Sequence, residues 1–185
     1  DPMENNIFFG GTLWGVVEKL DYLEKLGVNI IYLCPVFKSF SNHKYDTGDY
    51  ESVDEMFGGK EAFDELISQA KKRGIHIILD GVFNHTGDDS KYFNRYGKYE
   101  NVGAYQSEES EYYDWYKFEQ FPDKYEAWWD IEILPRIMGD NPKVDAVITW
   151  VDGDDPRHIA KREAVGNKKI LKVDDVAGST RYRSV

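Results

Sequence analysis

The chain has 185 residues, 41% of them hydrophobic and 31% charged, with a formal net charge of −11. That apolar share can build a core, which excludes a disordered tail. The acidic balance argues against a nucleic-acid partner, since phosphate contacts need a positive field. No run of about 18 apolar residues offers a membrane span. Asp1-Pro2-Met3-Glu4 lacks the basic and apolar regions of a signal peptide, so the expectation is a cytoplasmic chain. The one cysteine, Cys34, lies in an apolar run and reads as a buried small hydrophobe.

The first element is a helix over residues 15–26, where Val16, Leu20, Leu23 and Leu26 fall at helical spacing and Gly27 marks the stop. Val28 to Cys34 is a short, nearly all-apolar run rich in β-branched residues. It reads as a strand buried on both faces of a parallel sheet. A long polar loop follows to Gly58-Gly59. The pattern then repeats. Ala62, Phe63, Leu66, Ile67 and Ala70 share one face of a helix over 60–73, Gly74 stops it, and Ile75 to Leu79 is a second buried strand. His76, inside that strand, reads as a core histidine. Helix, strand, loop, helix, strand predicts α/β winding, with a ligand site at the carboxyl ends of the strands. Residues 88–133 are polar and aromatic without a clear period and read as an excursion from the sheet. Asp145 to Val151 is a third strand candidate, and 156–165 a short helix after Pro156.

Composition breaks once. Only Trp150 and Tyr182 among the aromatic residues lie after Asn141. Residues 142–185 carry a net charge of +2 against −13 for the first 141. Either the C-terminal part is a polar tail, or the two segments differ in origin.

Two clusters fall just after the strands: His43-Lys44-Tyr45-Asp46-Thr47-Gly48-Asp49-Tyr50 within the first loop, and Asp80-Gly81-Val82-Phe83-Asn84-His85 at the second strand end. Parallel neighbouring strands would bring both to one rim. A Tyr face, an imidazole and carboxylates around one pocket suit a sugar, whose apolar ring faces stack on aromatics while its hydroxyls need paired donors and acceptors. Taken alone, the second cluster reads rather as a strand-end cap with a solvated His; the order, spacing and placement of the two clusters together favour the site. Asn84-His85-Thr86 is a formal glycosylation sequon, read as coincidence.

The stretches FFGGTLWGVVEKLDYLEKLGVNIIYLCPVF, NHKYDTGDY, FGGKEAFDELISQAKKRGIHIILDGVFNHTG and WWDIEILPRI, within residues 8–137, resemble the α-amylase family of glycoside hydrolases, especially its cyclomaltodextrinase and neopullulanase branch. The resemblance implies a partial (β/α)8 barrel of the TIM type over residues 1–141, with 88–133 as the irregular excursion after the third strand. It implies action on α-glucosidic bonds of maltodextrins or cyclodextrins, an α-glucan partner, and no required cofactor, calcium being a candidate. Tyr45 would stack on the sugar at the cleavage subsite, Asp46 would orient that subsite, and His85 would hydrogen-bond the same sugar. Asp80 would support the site, with His43 a further candidate contact. Asn84 matches a structural or calcium-linked position, and Trp128 and Trp129 would line the cleft wall. Met138 stands where the family often has Asn.

The resemblance supplies no catalytic residue. A retaining glycosidase needs two carboxylates about 5 Å apart. The family carries its nucleophile in an Arg-x-Asp stretch and its acid/base Glu on the next strand. In Thr149-Trp150-Val151-Asp152, Trp150 takes the Arg position, so Asp152 is not assigned as nucleophile. A complete barrel also needs about 250 residues. Two or three strands leave open sheet edges, which invite self-association. Residues 144–185, from Val144-Asp145 through Asp152-Gly153-Asp154-Asp155 to the end, resemble the start of the Stealth family of sugar-phosphate transferases. The expectations are therefore an α-glucan hydrolase inactive on its own, a sugar-phosphate transferase fragment, or a non-catalytic glucan-binding fragment.

Overall fold

The computed structural model describes residues 5–139. The third strand candidate, the helix after Pro156, the Trp150–Asp152 stretch and the acidic run at 152–155 lie outside these residues.

The first helix, α1, spans Leu13–Lys25. Its N-terminus is capped by Thr12, whose side-chain oxygen accepts from the Gly15 amide at 3.3 Å, satisfying a donor left without an intrahelical partner. Gly27 ends it with φ +81, a left-handed turn that lets the Val28 amide reach back to the Leu23 carbonyl at 3.0 Å. Leu20 is fully buried, whereas Leu26, expected on the same stripe, is exposed. It sits past the last turn, where the chain already bends away. Helix α2, Gly59–Lys72, buries Ala62, Leu66 and Ala70. Glu61 in its first turn and Lys71 and Lys72 in its last complement the helix dipole. Gly74, φ +66, repeats the stop, with the Ile75 amide bonding to the Ala70 carbonyl.

Strands β1, Ile30–Leu33, and β4, His76–Leu79, pair in parallel, Ile30 opposite His76 and Leu33 opposite Leu79. The winding inferred from the sequence is present. Burial on both faces is not. Ile31, Leu33, Ile77 and Leu79 pack against the helices in a core with Leu20, Leu66 and Ile75. The alternate residues Ile30, Tyr32, Cys34 and His76 are exposed. Side chains alternate across a strand, and among the described residues helices cover one face alone. Cys34 is thus an exposed thiol rather than a buried hydrophobe, and His76 is a surface residue rather than a core histidine.

The expected polar loop between β1 and α2 holds two more strands. β2, Phe37–Ser39, and β3, Thr47–Val53, run antiparallel with Phe37 opposite Val53 and Ser39 opposite Thr47, through two register shifts. The shifts break the two-residue period that would otherwise mark a strand. Asp54 ends β3 and accepts from the Met56 amide at 2.9 Å, capping a single 3₁₀ turn.

Residues 88–133 lie outside the β1–β4 pair and share an aromatic core with Phe37 of β2, Tyr50 of β3 and Ile137. Phe93, fully buried, meets Tyr116 and Tyr125 edge-on at 4.8 Å. Tyr92 stacks on Trp115 at 5.0 Å. A short antiparallel pair, β5 Phe118–Gln120 with β6 Lys124–Tyr125, closes this part. Tyr50 of β3 lies 5.6 Å from Tyr92, and partly buried Leu79 touches both cores, so the excursion is anchored on the strand ends. The tyrosine-rich stretch 92–116 therefore serves packing. No helix among the described residues is long and apolar enough to cross a membrane.

Candidate functional site

The β1–β4 pairing continues one step past Leu79, where the Asp80 amide donates to the Leu33 carbonyl at 2.9 Å. Asp80 thus stands at the carboxyl end of the sheet. There it meets the other cluster: the Tyr45 hydroxyl donates to Asp80 Oδ2 at 2.9 Å. The carboxylate holds that proton, and Tyr45 is pushed up to about 12. Tyr45 stays 41% exposed, with the His43 ring 6.0 Å from its own.

His85 is 4% exposed, which removes the solvated-cap alternative. Its Nε2 lies 3.0 Å from the Tyr45 backbone carbonyl. Burial pushes its pKa below 6.5, against the Tyr45 carbonyl and the Asp46 carboxylate, which both favour the cation. Trp128 stacks on the imidazole at 5.0 Å and 29°, and Trp129 stacks on Trp128 at 4.4 Å. Trp129 is 79% exposed, with φ +52.

The remaining candidates face inward or serve the backbone. Asp46 is buried and accepts from the Ser41 amide at 3.0 Å and from the Ser41 hydroxyl. His43 Nδ1 accepts from the Tyr45 amide and lies beside Ser41 Oγ, both at 3.1 Å. The Asn84 carbonyl accepts from the Ile137 amide at 3.0 Å, while its residue is exposed. The Met138 amide bonds to the Trp115 carbonyl at 2.8 Å. Residues 134–137 return antiparallel beside 84–86 through bridges that include His85 with Arg136. The sequon's Thr86 is fully buried and bonded to the Tyr116 hydroxyl at 2.8 Å. Among the described residues no group of three or more His, Cys, Asp or Glu gathers to hold a metal.

Three supports had no role assigned from the sequence, Lys44 and Tyr50 within the first cluster and Ser41 just before it. Ser41 joins Asp46 to His43. Lys44, at φ +64, buries its ammonium against Asp54 at 2.7 Å and the Ser39 carbonyl at 3.0 Å. The buried Tyr50 hydroxyl donates to the carbonyls of Val82 and His85. Each lies within or beside a quoted motif, but only a three-dimensional partner reveals its part.

One end of the α/β scaffold thus brings together an exposed tyrosine, a strand-end carboxylate and a buried imidazole. The Alpha amylase, catalytic domain family model matches residues 2–150, and the chain belongs to that family. A second model, Stealth protein CR1, conserved region 1, matches residues 142–170. An amylopullulanase from Thermoanaerobacterium saccharolyticum is 52% identical over 158 residues, covering 82% of this chain and 12% of that protein. The intracellular maltogenic amylase of Bacillus subtilis is 43% identical, covering 82% and 26%. Relatives named neopullulanase and cyclomaltodextrinase match as well. Among solved structures, a cyclic alpha-maltosyl-(1→6)-maltose hydrolase from Arthrobacter globiformis superposes with a TM-score of 0.67 at 35% identity, covering 76% of this chain and 32% of that one. The chain thus spans a third or less of these proteins, and the TIM-barrel-type fold of the family is present as a portion with few strands.

Proposed function

We propose that the chain supplies part of the substrate-binding rim of a glycoside hydrolase acting on α-glucosidic bonds of maltodextrins or cyclodextrins. The observation that carries this is the meeting of Tyr45 with Asp80 at 2.9 Å and with His85 at 3.0 Å, which joins two clusters some forty residues apart into one group. In this reading β1 and β4 are adjacent strands of a (β/α)8 barrel, and residues 88–133 are the excursion after the third. The Tyr45 ring stacks on a glucose face, Asp80 fixes its tilt, and His85 holds the Tyr45 backbone beneath the same sugar. Asp46 and His43 hold the loop and orient the subsite, and Trp128 and Trp129 wall the cleft. No cofactor is required, and Asn84 is the position for calcium if one is held. Neither nucleic acid nor membrane is a partner. The name of the Bacillus subtilis relative supports a cytoplasmic setting.

No nucleophile or acid/base is assigned to a residue of this chain, so the 185 residues alone bind oligosaccharide without turnover. Calorimetric titration with maltoheptaose tests this. Saturable binding to the wild type is expected, lost in Tyr45→Ala, with no reducing sugar released. Equal binding by Tyr45→Ala, or robust hydrolysis by the chain alone, would overturn the reading.

The Stealth match at 142–170 favours a second reading, in which residues 142–185 have a different origin and belong to a sugar-phosphate transferase. Metal-dependent transfer from a nucleotide sugar would support it. A third reading is a non-catalytic glucan-binding fragment.

A further inference from the structure

A backbone carbonyl only accepts, so the 3.0 Å contact between His85 Nε2 and the Tyr45 oxygen requires the imidazole proton on Nε2. Nδ1 is then the bare acceptor, and it is buried without a hydrogen-bond partner. A proton placed there would have no acceptor, which disfavours both the other tautomer and the cation. Trp128 covers one face of the ring, stacked at 5.0 Å and 29°. Trp128 in turn carries Trp129 at 4.4 Å and is fixed by its amide bond to the Leu134 carbonyl at 2.9 Å. The side chain sealing His85 therefore comes from the end of the excursion, more than forty residues further along the chain.

We propose that Trp128 is a positioning residue for His85: its ring seals the imidazole into the Nε2–H tautomer, and through that hydrogen bond holds the backbone of Tyr45 in place. The excursion then orders the strand-end rim as well as bordering it. Arg136 pairs with His85 through the backbone, and its guanidinium lies toward Glu126 at 3.7 Å. Asp80 reaches Tyr45 through the phenol. The consequence for glucan binding rests on the function proposed above, whereas the tautomer does not.

Long-range ¹⁵N–¹H correlation spectra of the full chain, with His85 assigned by loss of its signal in His85→Gln, read both ring nitrogens. The wild type should show the Nε2–H pattern. In Trp128→Ala the second tautomer should appear. Trp128→Phe should keep the wild-type pattern, since it keeps a ring. Nδ1–H in the wild type would overturn the proposal, and this needs no variant to fold. So would an unchanged tautomer in a folded Trp128→Ala. If the tautomer responds as expected but maltoheptaose does not bind, the positioning role stands and the glucan reading falls.

Discussion

Lys44 shows how much one residue beside the rim is asked to hold. A non-glycine residue in the left-handed region costs roughly 1–2 kcal/mol, and its ammonium is taken almost wholly out of water. Both are offset by Asp54, whose carboxylate accepts from the Lys44 ammonium, the Ser39 amide and the Met56 amide. That knot closes the loop immediately before Tyr45. Lys44→Met should cost about 3–5 kcal/mol in urea unfolding, because it strands a buried carboxylate. Lys44→Met combined with Asp54→Leu should recover part of that loss, though not the cap on the 3₁₀ turn. A single variant as stable as the wild type would mean that the pair does not hold the loop.

The helices and the excursion draw on different packing. Leu66 is buried where α2 meets α1 and the sheet, and Leu66→Ala should cost about 2–5 kcal/mol by leaving a cavity, read as a lower urea midpoint. The helices were legible because both follow a 3.6-residue period and end on glycine. The parallel pair was legible from β-branched runs after those glycines. β2 and β3 were not, since two register shifts scramble their alternation. The open face of β1 was not legible either, because an apolar run reports what could be buried, not what neighbours arrive to bury it. Cys34 and His76 were misread for that reason. In the site, residue types and order within the two motifs marked Tyr45, Asp80 and His85. That Asp46 turns inward to Ser41, and that Trp128 lies flat on His85, depend on loop paths with no periodic signature.

Among the described residues, the molecule is one helix-covered parallel pair with an aromatic annex at its carboxyl end. We propose that the exposed row Ile30, Tyr32 and Cys34 makes the chain self-associate. Sedimentation velocity across a wide concentration range should show the mean coefficient rising with concentration. Tyr32→Lys should flatten that rise, and a concentration-independent monomer would remove the idea. The parallel register has a further consequence in time. Ile30 pairs with His76, so nothing can complete the first strand's ladder until the chain has grown 46 residues further. At synthesis rates of about 5–20 residues per second, that is a wait of roughly 2–9 seconds. Over that interval the apolar run 28–34 has no β partner. A holding chaperone, or early collapse of α1 onto it, would shield the nascent chain until its second strand emerges.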